Sequence, residues 1–123
     1  MNLSGKIVKS LIAKYKVPPL NLWVIHDDID LPLGKIRISK DRGAAGHKGV
    51  ESIIKELKTK NFVRLRIGIQ PKTGKPRNPE KFVLQKFNKN EEGLVKEAIK
   101  KTAEAIEFSL KVGLAKTMSR YNK

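Results

Sequence analysis

The chain has 123 residues and a formal charge of +15, from 27 Lys and Arg against 12 Asp and Glu. That length, with a hydrophobic share of 39%, fits one domain with a modest core, residues 1–123. There is no Cys, which excludes a disulfide framework, a thiolate nucleophile and a Cys-ligated metal site. No apolar run approaches the ~20 residues needed to cross a bilayer. The start, MNLSGKIVKSLIAK, lacks the apolar core and cleavage site of a secretory signal. A chain this basic repels itself unless it meets an anion, so a polyanionic partner is expected. The plainer alternative is charge that only solvates the surface.

Ser4 is placed to cap a first helix reaching about Lys16, with Ile7, Val8, Leu11, Ile12 and Tyr15 at helical spacing. Pro18 and Pro19 stop it. Leu22-Trp23-Val24-Ile25 predicts a short buried strand that ends in His26-Asp27-Asp28, with Asp30 just beyond. Lys35-Ile36-Arg37-Ile38 alternates and predicts a second strand with one wet face. A small-residue loop from Asp41 to Gly49 leads into a helix over Val50–Leu57, whose apolar side is Val50, Ile53, Ile54 and Leu57. Phe62 to Ile69 alternates as a third strand. Gln70 to Pro79 is Pro-rich and basic, as an exposed loop would be. Lys81 to Phe87 predicts a short helix, and Glu91 to Val112 a long one with Leu94, Ala98, Ile99, Ala103, Ile106 and Leu110 as its apolar stripe. Gly113 is a C-cap, with a last short helix from Leu114. Strands separated by helices predict an α/β sheet with some parallel pairing.

Three groups of residues are candidates for chemistry. Asp27 and Asp28, read as the end of a strand, stand where ligands bind in open α/β sheets. A carboxylate there orients and polarises a catalytic imidazole, or with Asp30 holds Mg²⁺, although no other oxygen ligands suggest a cage. The competing explanation is a turn, since Asp bonds local backbone after strands. The loop at 43–49 opens a helix, and the free N–H groups of a helix start favour anions. Lys40, Arg42 and Lys48 add charge for a phosphate, yet no Walker A or dinucleotide fingerprint is present. Otherwise it is an ordinary flexible loop. Arg64 and Arg66 share one face of the third strand and, with Lys72, Lys75, Arg77 and Lys81, form a candidate phosphate track. The alternative is a solvated strand face. The two histidines, His26 and His47, are too few for a His-based metal site; His47 is a candidate base, phosphate contact or packed loop residue, and His26 a candidate for a hydrogen bond across the sheet, a lone His being more often structural than catalytic.

MNLSG at Met1–Gly5, VIHDDIDLPLGKIR at Val24–Arg37, AGHKGVESII at Ala45–Ile54, FVRLRIGI at Phe62–Ile69 and FVLQKF at Phe82–Phe87 resemble, in order, the motifs of bacterial-type peptidyl-tRNA hydrolase. The resemblance implies a mixed, mainly parallel α/β sheet wrapped by helices. It implies hydrolysis of the ester between a peptide and tRNA during translation, with no metal or redox cofactor. It implies a cytoplasmic monomer whose partner is tRNA and not a membrane. Residue by residue, Asn2 resembles the family's substrate-holding Asn, and Asp27 the Asp that pairs with the catalytic His. Arg66 resembles a residue that grips the tRNA 5′-phosphate, and the glycine loop with its helix a mobile gate over the peptide channel. Lys40, Arg42, Lys48 and Arg64 complete the expected tRNA contacts.

Two departures shape the expectation. The family's opening G-L-G-N-P-G strand and its R-H-N motif with the catalytic His have no counterpart, and His26 and His47 match other positions. The family's G-H-N-G reads Gly46-His47-Lys48-Gly49, so an Asn that donates and accepts is replaced by a Lys that only donates. The chain is therefore expected to lack the N-terminal part with the catalytic His and the sheet's first strand. Little hydrolase activity and marginal stability are expected of it alone. The alternative is a non-catalytic RNA-binding protein on the same scaffold.

Overall fold

The computed structural model describes residues 3–78 and 88–122. The short helix expected over Lys81 to Phe87 lies outside the described residues, as does Asn2. The chain falls into two compact units, Met1–Val24 with Ser39–Arg64 and Ile25–Ile38 with Leu65–Lys123. Among the described residues no helix is long and apolar enough to cross a membrane.

In the first unit, helix α1 spans Ser4–Lys14 and packs on α2, Lys48–Leu57. Gly5 is what lets them meet. A Cβ there would strike the Ser52 carbonyl, and the Gly5 N–H donates to Ser52 Oγ at 2.9 Å. Ser4 is not the cap expected of it: the cap position is Leu3, which makes no side-chain bond, and Ser4 is already helical. The expected apolar face also splits, with Val8 and Ile12 half-buried while Ile7, Leu11 and Tyr15 stay exposed. A short 3₁₀ turn follows at Pro19–Asn21. α2 buries Gly49, Val50 and Ile53, as its pattern requires.

The strands are β1 (Trp23–Pro32), β2 (Ile36–Lys40) and β3 (Val63–Gln70), in the sheet order β1-β3-β2. Val63 N–H donates to Leu22 O at 3.0 Å and Leu33 N–H to Gln70 O at 2.9 Å, so β1 and β3 run parallel. The turn closed by Lys35 N–H to Pro32 O, 3.1 Å, reverses the chain into β2 and makes the sheet mixed. β3 is the central strand, and its consecutive residues Val63, Arg64, Leu65 and Arg66 are all buried. Side chains on both faces of this part of β3 are therefore buried, and the solvated strand face held as the alternative for Arg64 and Arg66 is absent. β2 keeps the expected pattern, with Ile36 and Ile38 buried and Arg37 and Lys40 exposed.

β1 is the larger departure. It does not stop at Ile25 but continues through the acidic cluster to Pro32. Between the two bonds that tie it to β3, it runs from Leu22 to Leu33 while β3 runs only from Val63 to Gln70. β1 thus uses more residues over the same stretch, as a bulged strand does. Gly68 accepts the crowding: a side chain there would collide with the Pro32 carbonyl.

In the second unit, α3 (Lys89–Val112) starts with a capping box, in which Asn88 Oδ1 accepts from Glu91 N and Glu91 Oε1 from Asn88 N. Its buried residues are Ala98, Thr102 and Ala105, whereas Leu94, Ile99, Ala103 and Leu110 of the expected stripe are exposed. Small residues decide the buried side, and Thr102 satisfies its hydroxyl on the Ala98 carbonyl at 2.8 Å. Gly113 caps α3 and α4 (Leu114–Tyr121) follows, as expected. Phe108 and Tyr121 meet edge to face at 6.1 Å, and Arg120 lies over Phe108 at 4.9 Å.

Candidate functional site

The acidic cluster sits on the bulged part of β1. The Asp28 carboxylate has two anchors: Oδ1 accepts from the Asp30 N–H at 2.8 Å, and Oδ2 from Arg66 Nε on β3 at 2.7 Å. The first is the local Asp-to-backbone bond of a turn, made inside a strand. The second is an ion pair whose side chains are only 9% and 14% exposed. Removing one partner of so shielded a pair leaves an uncompensated charge, at about 3–5 kcal/mol. Gln70 Nε2 donates to the Ile29 carbonyl at 3.1 Å, and Lys75 Nζ lies 3.1 Å from Asp30 Oδ1 at the surface. The bulge is thus held at Asp28, Ile29 and Asp30 in turn.

Asp27 is half-buried within β1, and His26 Nδ1 donates to the Asp27 backbone carbonyl at 2.7 Å. The cluster is therefore a mid-strand feature, not the strand end that the sequence suggested. Among the described residues no three His, Asp or Glu converge to hold a metal ion.

Around the glycine loop, each basic residue has a distinct place. Arg64 is buried at 3% exposure, and its Nη2 donates to the Gly43 carbonyl at 2.9 Å, pinning the loop from β3. Lys40, Arg42 and Lys48 are exposed. Lys48 is the first residue of α2, where the helix dipole disfavours a cation and favours an anion. His47 caps that helix, its Nδ1 accepting from Val50 N–H at 3.2 Å. Asp41 and Ala45 hold positive φ, 54° and 50°, so the loop carries left-handed backbone at two non-glycine positions.

Arg64 and Arg66 are accordingly not an open phosphate track on a solvated face. Lys72, Lys75 and Arg77 are exposed on the loop after β3, and Lys81 lies outside the described residues. The Asp28–Arg66 pairing is not visible as a sequence motif. Its one signal is that VRLRIGI sets two cations in an otherwise apolar strand, and buried cations need carboxylate partners.

Comparison with known proteins agrees with this architecture. The family model for peptidyl-tRNA hydrolase matches residues 1–123. The chain is 42% identical to peptidyl-tRNA hydrolase of Bacillus licheniformis, covering 99% of this chain and 64% of that protein. It is 41% identical to that of Synechocystis sp., covering 99% and 62%. A crystal structure of peptidyl-tRNA hydrolase from Acinetobacter baumannii superposes with a TM-score of 0.87 at 31% identity, over 99% of this chain and 61% of that one. The chain thus spans less than two thirds of the length of these relatives. With its whole length matched in sequence and its α/β architecture matched in structure, the chain belongs to the peptidyl-tRNA hydrolase family.

Proposed function

We propose that the chain serves the hydrolysis of peptidyl-tRNA, cleaving the ester between peptide and tRNA, and that these residues supply the tRNA-holding part of the site. The observation that carries this is the match of all 123 residues to the family model. Ester hydrolysis needs a water activated by a general base and donors for the developing oxyanion. Asp27 orients and polarises the imidazole that acts as base, and Asn2 holds the substrate beside the ester. Lys40 at the end of β2, Arg42 in the loop that follows and Lys48 at the start of α2, all exposed, take tRNA phosphates, and Arg66, reached through its small remaining exposure, takes another. Arg64 acts in tRNA binding by holding the loop that carries Arg42.

Neither His26 nor His47 takes the part of that base, since both match other positions of the family's motifs. His47 Nδ1 caps α2, and His26 Nδ1 donates to the Asp27 backbone carbonyl. The protein works as a cytoplasmic monomer, where tRNA is available, and needs no metal.

The test is turnover of an N-acetyl-aminoacyl-tRNA by these 123 residues beside the full-length B. licheniformis relative. tRNA binding with turnover at least about a hundredfold below the relative is expected, the scale on which general-base catalysis contributes. Equal turnover that vanishes in His26→Ala or His47→Ala would refute the assignment of the base.

A further inference from the structure

We infer that Asp28 is a positioning residue for tRNA binding, acting through Arg66; this rests on the tRNA reading above. An exposed Arg finds a phosphate by moving. Arg66 has no such freedom, because only 9% of its side chain is exposed and its Nε is already held by Asp28 Oδ2 at 2.7 Å. Which part of the guanidinium meets a ligand is therefore decided by where that carboxylate stands. The carboxylate is itself fixed, since Oδ1 is tied to the Asp30 N–H at 2.8 Å. The neighbouring Ile29 carbonyl is held by Gln70 Nε2, two strand positions after Gly68 on the same strand as Arg66. The bulge of β1 and the orientation of Arg66 are thus one structure. Pre-orientation removes the ordering cost that a mobile Arg meets on binding.

Geometry and charge make opposite forecasts for this residue. If Asp28 only screened Arg66, deleting its charge would tighten tRNA binding, and moving its charge by one methylene would change little. If Asp28 positions Arg66, the order reverses. Asp28→Asn keeps an oxygen for Nε in place, and Asp28→Glu keeps the charge but misplaces it.

The experiment is binding of unacylated tRNA to the full chain at fixed low salt, for the native protein, Asp28→Asn, Asp28→Glu and Asp28→Ala. The folding of each is checked by circular dichroism. Asp28→Glu and Asp28→Ala are expected to weaken binding by about tenfold, the worth of one oriented charge-assisted hydrogen bond, and Asp28→Asn by no more than about threefold. The Nε–H signal of Arg66 in ¹⁵N spectra is expected to persist in Asp28→Asn and to broaden by exchange in Asp28→Glu. Tighter binding by Asp28→Asn, or unchanged binding by Asp28→Glu, overturns the positioning role while leaving the tRNA reading intact. Absence of binding by the native chain overturns the tRNA reading instead. If Asp28→Ala does not fold, the Asn and Glu pair decides the matter.

Discussion

Asn122 takes both backbone groups of Ile38: its Oδ1 accepts the Ile38 N–H at 2.7 Å and its Nδ2 donates to the Ile38 carbonyl at 2.8 Å. Among the described residues β2 lies at the edge of the sheet, and an edge presents unpaired backbone that invites association. One amide side chain from the end of α4 does there what another strand would do. The packing of Phe108, Arg120 and Tyr121 holds α4 in place beneath it.

Asn122→Ala is therefore expected to destabilise the chain by about 1–3 kcal/mol, two hydrogen bonds at the usual net value each. Asn122→Asp is expected to be worse, because a carboxylate would face the Ile38 carbonyl. Urea unfolding measures the stability, and amide exchange at Ile38 reports the site. Unchanged exchange at Ile38 in Asn122→Ala would show that the clamp does not operate in solution.

Gly5 sets the approach of α1 to α2. Gly5→Ala is expected to cost at least about 2 kcal/mol, since the new methyl meets the Ser52 backbone and one of the helices must move. Ser52→Ala removes only the acceptor of the Gly5 N–H and is expected to cost about 1 kcal/mol. A larger loss in Ser52→Ala than in Gly5→Ala would contradict this packing.

Much of the scaffold was legible because its signals are local. Gly113 between two helical runs, the apolar side of α2 and the apolar density of β3 each follow from a few neighbouring residues. What was not legible depends on neighbours distant in sequence. The acidic run reads as the end of a strand, with a turn as the competing explanation; Asp28 does make a turn-like bond to Asp30, yet β3 keeps the surrounding segment in the sheet. Arg64 and Arg66 read as a surface pair because their alternation is that of a half-exposed strand. Their burial reflects packing on both faces of β3 by residues distant in sequence, which no local pattern encodes. On α3 the apolar stripe counts Ile99 and Leu110 over Thr102, but Ala98, Thr102 and Ala105 are the buried ones. Of the candidate site, the residue types were legible and their geometry was not: Asp28 emerged as the partner of Arg66 only once β1 and β3 lay side by side.

His47 links the glycine loop to α2. His47→Ala is expected to remove the cap and cost about 1 kcal/mol, while His47→Asn, a strong capping residue, is expected to recover most of it. Thermal melts of the two variants give the comparison. Equal stability of Ala and Asn at this position would mean that the Val50 N–H finds its acceptor elsewhere.

In the proposed function the +15 chain grips tRNA through phosphates, with the exposed cations Lys40 at the end of β2, Arg42 in the loop and Lys48 at the start of α2 taking part. The most direct test of this central claim is the affinity for unacylated tRNA between about 50 and about 200 mM salt, for the native chain and for the triple variant Lys40→Ala, Arg42→Ala, Lys48→Ala. Logarithmic affinity is expected to fall linearly with logarithmic salt. The triple variant is expected to flatten that slope by about 2–3, near one unit for each phosphate that is no longer neutralised. An affinity indifferent to salt, or a triple variant with the native slope, would contradict the claim.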